Sequence, residues 1–227
     1  MRMFRTFILR HPVFTTYISS SKLVCAQGNL KQYLVSVGDG VTGLRPPSTA
    51  ERLGMCRQVV LAMKHIASMK LAHGDLAARN LLITYNFDVK VSNPSLCVDV
   101  FSREYVVHRR RPLPLRWAAP ETVVQPSDRP TVAADVWALG VVVWELFTPQ
   151  CPLPLADRSD AEVLAMLESL AGASASSKCP LVCPLNCPQP VWDVARRCMS
   201  RVPASRPKFS DILSSLDDMN FLDDSQV

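Results

Sequence analysis

The sequence predicts a mainly α protein with one small β-hairpin. Three observations carry that prediction. A capping-box signal at Ser48 opens a long run of apolar residues at helical spacing. The strings LLIT and VKVS, separated by Tyr85-Asn86-Phe87-Asp88, have the length and composition of two short paired strands. From Thr131 onward, helical patterns alternate with proline-rich connectors.

In chain order, the first twenty or so residues lack clear periodicity and receive no element. GNLKQYLVSV, Gly28 to Val37, predicts a short helix, and a Gly/Pro-rich loop follows to Pro47. In the capping box, the Ser48 hydroxyl takes the Glu51 N–H while the Glu51 carboxylate takes the Ser48 N–H. Leu53, Cys56, Val60, Met63 and Ala67 then line one face, so a helix is expected to about Lys70 with that stripe buried. The hairpin comes next. Four further helices are expected over Ala133–Phe147, Asp160–Ala171, Val191–Ser200 and Phe209–Leu216. GASASSKCPLVCPLN reads as a surface loop.

Composition narrows the function classes. Hydrophobic residues make up 48% of the 227 and charged residues 20%, which supports a buried core. Net charge is +5, with no aromatic-basic interleaving, so nucleic acid is not an expected partner. His108-Arg109-Arg110-Arg111 is the one basic cluster, read first as a solvated loop and second as a dock for an acidic segment or a phosphate. Cys179, Cys183 and Cys187 recur every four residues, each before a proline. No fourth ligand lies nearby and proline bars a helix from aligning the thiols, so no metal site is expected and reduced thiols are the default. The strongest apolar stretch, Ala138 to Phe147, is too short to span a bilayer and contains Glu145, so no membrane span is expected in this chain.

Chemistry concentrates in HGDLAARN, residues 73 to 80. It resembles the H-R-D-L-x-x-x-N catalytic loop of protein kinases, with Ala77-Ala78-Arg79 the tyrosine-kinase spelling. Ala119-Pro120-Glu121 matches A-P-E. Asp135-Val136-Trp137-Ala138-Leu139-Gly140 matches D-x-W-x-x-G, and Arg206-Pro207 falls where the family has its late R-P. Four motifs in register identify a kinase C-terminal lobe, with residues 1–22 unassigned, 23–219 forming the lobe and 220–227 a tail. GNLKQYL, DVFSREYVVHRRRPLPLRWAAPE and RPKFSDILSSLDD look most like the inactive tyrosine-kinase-like receptors of the off-track type.

That resemblance implies roles. Asp75 would accept the substrate hydroxyl's proton, Asn80 would ligate a metal, and Arg79 would steady the substrate or the base. His73 counts among the scaffold residues. Glu121 and Arg206 would form a buried ion pair, and Asp135 would receive N–H groups of the catalytic loop. The departures matter as much. Gly74 stands where many kinases have arginine. Asn93 stands where the family has its metal-binding aspartate, followed by Pro94-Ser95 in place of Phe-Gly. A charge pair at about 4 Å near a surface is worth on the order of 4 kcal/mol, so losing that carboxylate costs roughly a thousandfold in rate. No Gly-rich loop, strand lysine or helix glutamate precedes GNLKQYL, so the N-terminal lobe is expected to be absent from this chain.

The resemblance therefore implies a catalytically impaired pseudokinase that scaffolds signalling proteins through its C-lobe surface. It would be the cytoplasmic part of a single-pass co-receptor in Wnt, planar-polarity and adhesion signalling, and no cofactor is expected. The alternative is a working protein tyrosine kinase represented by a truncated gene model, which would need Mg and ATP. Tyr105 is read first as an exposed loop residue and second as a phosphorylation site.

Overall fold

The computed structural model describes residues 28–38, 43–92, 101–125, 129–172 and 179–219. Helix α1, Leu30–Gly38, leads to α2, Thr49–Ser68. Strands β1, Leu81–Ile83, and β2, Val89–Val91, pair antiparallel with Leu81 opposite Val91. A second antiparallel ribbon joins β3, Val106–His108, to β4, Arg111–Leu113. Helices α3, Pro120–Val124, α4, Val132–Phe147, α5, Asp160–Gly172, α6, Gln189–Cys198, and α7, Phe209–Asp217, complete the described elements.

Local chemistry explains the boundaries of α2. Ser48 and Glu51 make the reciprocal capping box, with Ser48 N–H donating to Glu51 at 2.7 Å and Glu51 N–H to the Ser48 hydroxyl at 3.2 Å. Leu53, Cys56, Val60 and Met63 are buried on one side, joined by Met55, Val59 and Ile66. Arg45 grips the Glu51 carboxylate through its two terminal guanidinium nitrogens, and this pairing pulls the carboxyl down to about 2. A depressed folded value means that its stabilisation is complete above the unfolded value of about 4.3 and drains as pH falls through about 2. Glu51→Gln is therefore expected to flatten the acid limb of a stability–pH curve over that window, measured by urea unfolding. The effect is small because Arg45 is largely exposed.

Helix α4 is the centre of the body. It packs on α6 and α2, α2 packs on α7, and α3 packs on α5. From Asp135 to Val143 every residue is buried, which accounts for its near-continuous apolar sequence. Gly140 permits a close approach of α4 to α6: a Cβ there would lie 2.9 Å from the Ala195 carbonyl and 2.7 Å from Met199.

The second ribbon departs from the expectation of a single hairpin, while the basic cluster read as a solvated loop is its exposed turn, with His108 and Arg111 drawn into the strands. Arg109 and Arg110 form a two-residue turn closed by His108 opposite Arg111, with φ of 47° and 66°. Such turns favour Asn-Gly because both residues are left-handed. An Arg-Arg pair carries none of that signal and costs roughly 1–2 kcal/mol per residue.

Among the described residues no helix is long and apolar enough to cross a membrane, and no group of three or more His, Cys, Asp or Glu could hold a metal ion. Cys56, Cys151, Cys179, Cys183, Cys187 and Cys198 are free thiols. Burial pushes Cys56 and Cys198 up to about 12, which makes them poor nucleophiles.

Candidate functional site

Two carboxylates of α4 hold the catalytic-loop segment in place. Asp135 accepts the backbone N–H groups of His73 at 2.6 Å and Gly74 at 2.8 Å, one on each oxygen. Burial pushes its carboxyl up, while His73 and these two donors act the other way. One helical span further on, fully buried Glu145 accepts the Ala78 N–H at 2.9 Å. In the sequence Glu145 stands out only as an interruption of an apolar run. An acid buried in such a run is the one local signal that pointed to this anchor.

Within the loop, His73 Nδ1 accepts the Asp75 N–H at 3.2 Å, so the ring proton sits on Nε2, which donates to the Ser92 carbonyl at 2.7 Å. Gly74 has φ of 78°, and a Cβ there would meet Pro130 at 2.9 Å. An arginine at this position would be strained and would collide. The departure at position 74 is thus built into the backbone.

Asp75 and Arg79 then meet. A short 3₁₀ turn, Ala78–Asn80, brings Arg79 back over Asp75, where the guanidinium bonds carboxylate Oδ1. Its other nitrogens bond Glu104 at 2.8 Å and the Tyr105 hydroxyl at 2.8 Å. The same guanidinium lies 4.2 Å from the centre of the Trp117 ring and 4.6 Å from that of Tyr105. Burial alone would lower its pKa, but Asp75, Tyr105 and Glu104 outweigh that and the net shift is upward. Glu104 is bridged on its other oxygen by Lys31, whose ammonium lies over the Phe101 and Trp117 rings.

Tyr105 corrects the sequence reading. It is half-buried rather than an exposed loop residue, and its hydroxyl donates to Asp75 Oδ2 at 2.6 Å. Burial, then the Asp75 charge, raise its pKa well above the usual tyrosine value. Both oxygens of Asp75 are therefore engaged by side chains of the same chain. A tyrosine hydroxyl of the chain itself thus occupies Oδ2 of this aspartate, as Arg79 occupies Oδ1.

Asn80 donates to the Asp75 carbonyl at 2.7 Å, while its side-chain oxygen is buried with no hydrogen-bond partner among the described residues. That oxygen would suit a cation. Magnesium, however, rests on one or two carboxylates, and here Asp75 is consumed and position 93 is an amide. The donor set does not fit a bound magnesium ion. Asn93, Pro94 and Ser95 lie outside the described residues.

Away from the loop, Arg206 donates to both oxygens of Glu121, at 2.6 and 2.7 Å, and to the carbonyls of Ala133 and Ser200 at 2.8 Å each. It ties α3, the start of α4 and the end of α6 together. Gly38 to Gly43 spells G-x-G-x-x-G, but the string follows GNLKQYL and begins at the C-terminal end of α1. A Cβ on Gly38 would meet Gln150 at 2.3 Å, so packing accounts for that glycine.

This helical body, its strand pair and its catalytic-type loop define a protein kinase fold. The family model for protein tyrosine and serine/threonine kinases matches residues 21–216, and the chain belongs to that family. It is similar to "Inactive tyrosine-protein kinase 7" of Gallus gallus and of Homo sapiens, each 39% identical over 193 residues, 84% of this chain and 17% of the relative. It is also similar to "Tyrosine-protein kinase-like otk" of Drosophila willistoni, 35% identical over 201 residues, 83% of this chain and 18% of the relative. The chain thus spans less than a fifth of the length of these curated relatives.

Proposed function

We propose that this kinase domain is a pseudokinase: it scaffolds signalling proteins through its helical surface and does not transfer phosphate. The observation that carries the reading is the state of Asp75, whose two oxygens are held by Arg79 and Tyr105. A substrate hydroxyl would have to compete with these two internal donors for the proton acceptor, and the amide at position 93 leaves the phosphates without their principal cation anchor. No cofactor is needed for this role.

The likeness to the inactive kinases and to the otk proteins supports a setting as the cytoplasmic part of a longer co-receptor in Wnt, planar-polarity and adhesion signalling. The domain would then work as residues 23–219, on the cytoplasmic face of the plasma membrane. In this reading Tyr105 is an internal plug first, and a phosphorylation site only when the segment carrying it leaves the cleft.

One observation favours a second reading, a tyrosine kinase that uses Mg and ATP. The unpartnered Asn80 oxygen keeps the chemistry of a metal ligand. Melting the protein with and without Mg-ATP separates the two. The pseudokinase reading expects no rise in melting temperature, whereas a rise abolished by Asp75→Asn supports the kinase reading.

A further inference from the structure

We propose that the turn of the β3–β4 ribbon is a docking surface for an anionic lipid bilayer. Between Glu104 and Glu121 the chain has no acidic residue, yet it holds His108, Arg109, Arg110 and Arg111 at the ribbon; Arg116 further on is buried against Asp160. Arg109 and Arg110 are exposed at the turn and make no ion pair among the described residues. Their backbones are both left-handed, which fixes a tight reversal with the two cations at its end.

The neighbouring residues select the occupant. Val107 is 84% exposed and lies opposite Pro112, also exposed, so an apolar pair shares one face of the ribbon just behind the cations. Because His108 and Arg111 close a two-residue turn, they form the hydrogen-bonded pair. The next pair, Val107 and Pro112, then has its backbone groups facing outward. Proline has no N–H to offer there, so an acidic peptide cannot add as a strand along the β4 edge. A two-residue turn is also convex and gives no groove to hold a peptide. A flat surface of negative headgroups, with shallow apolar depth for Val107 and Pro112, fits both the charge and the shape.

The test uses the whole 227-residue chain, sedimented with vesicles of phosphatidylcholine alone or of phosphatidylcholine and phosphatidylserine in equal parts. Binding to the mixed vesicles only, weakened by salt, is expected. Arg109→Asn with Arg110→Gly keeps the turn's backbone preference while removing both charges, so folding is preserved. Partitioning should fall roughly 25-fold, about fivefold for each arginine, with no drop in melting temperature. The same charge loss on α6, Arg196→Ala with Arg197→Ala, should leave partitioning unchanged. An equal loss from both pairs would overturn the assignment, because bulk charge would explain it. Binding to phosphatidylcholine alone would overturn it as well, as would capture of a polyglutamate peptide by the turn without vesicle binding.

Discussion

Replacing Arg79 with alanine lowers the unfolding free energy by about 3–5 kcal/mol, the scale for stripping one partner from a buried ion network. The side chain is wholly buried, and its three nitrogens serve Asp75, Glu104 and Tyr105. Removing it strands the buried Asp75 charge and leaves a void beside the Trp117 and Tyr105 rings. Glu104 fares better, because Lys31 remains on its other oxygen. A double change, Arg79→Met with Asp75→Asn, removes both charges and is expected to recover much of the loss. Urea titration of the three proteins measures it. A cost near zero for the alanine variant would mean that the guanidinium is not the hub of the site.

Arg206→Ala is expected to cost a similar amount, about 3–5 kcal/mol, for a different reason. Here a guanidinium with 1% side-chain exposure satisfies two backbone carbonyls as well as Glu121, and it lies 5.2 Å from the centre of the Trp137 ring. Alanine removes the charged donor that Arg206 gives to the carbonyls of Ala133 and Ser200. Lysine should not rescue, since one ammonium cannot reproduce the fork that meets both Glu121 oxygens while reaching two carbonyls. Glu121→Gln is the milder change, because the Glu121 carboxylate is 28% exposed and Arg206 keeps its backbone acceptors. Thermal unfolding of the three variants should rank alanine and lysine well below glutamine. A lysine variant as stable as the parent would contradict this account of the contact.

Much of the fold was legible because its signals are local. The Ser48–Glu51 box, the stripe through Leu53 and Met63, the LLIT and VKVS pair and the four later helices all depend on residues a few positions apart. The second ribbon was not legible, since Arg109 and Arg110 occupy a backbone conformation that their side chains do not favour. The site divides in the same way. HGDLAARN pointed to Asp75, Arg79 and Asn80, but pattern alone could not show what holds them. Tyr105 reaches Asp75 across 30 residues, Ala78 reaches Glu145 across 67, and Lys31 meets Glu104 from another helix. Such pairings are set by packing of the finished body, and charge alone does not select one acid among several.

The closed state of Asp75 is the centre of this account, and phosphoryl transfer tests it most directly. The purified chain is incubated with labelled ATP, magnesium and a tyrosine-containing peptide, beside Tyr105→Phe and Asp75→Asn variants. The account predicts no incorporation above background in any of the three, because freeing one oxygen of Asp75 restores neither the cation anchor nor the second oxygen held by Arg79. Label on peptide tyrosine with the parent chain, lost with Asp75→Asn, would contradict it.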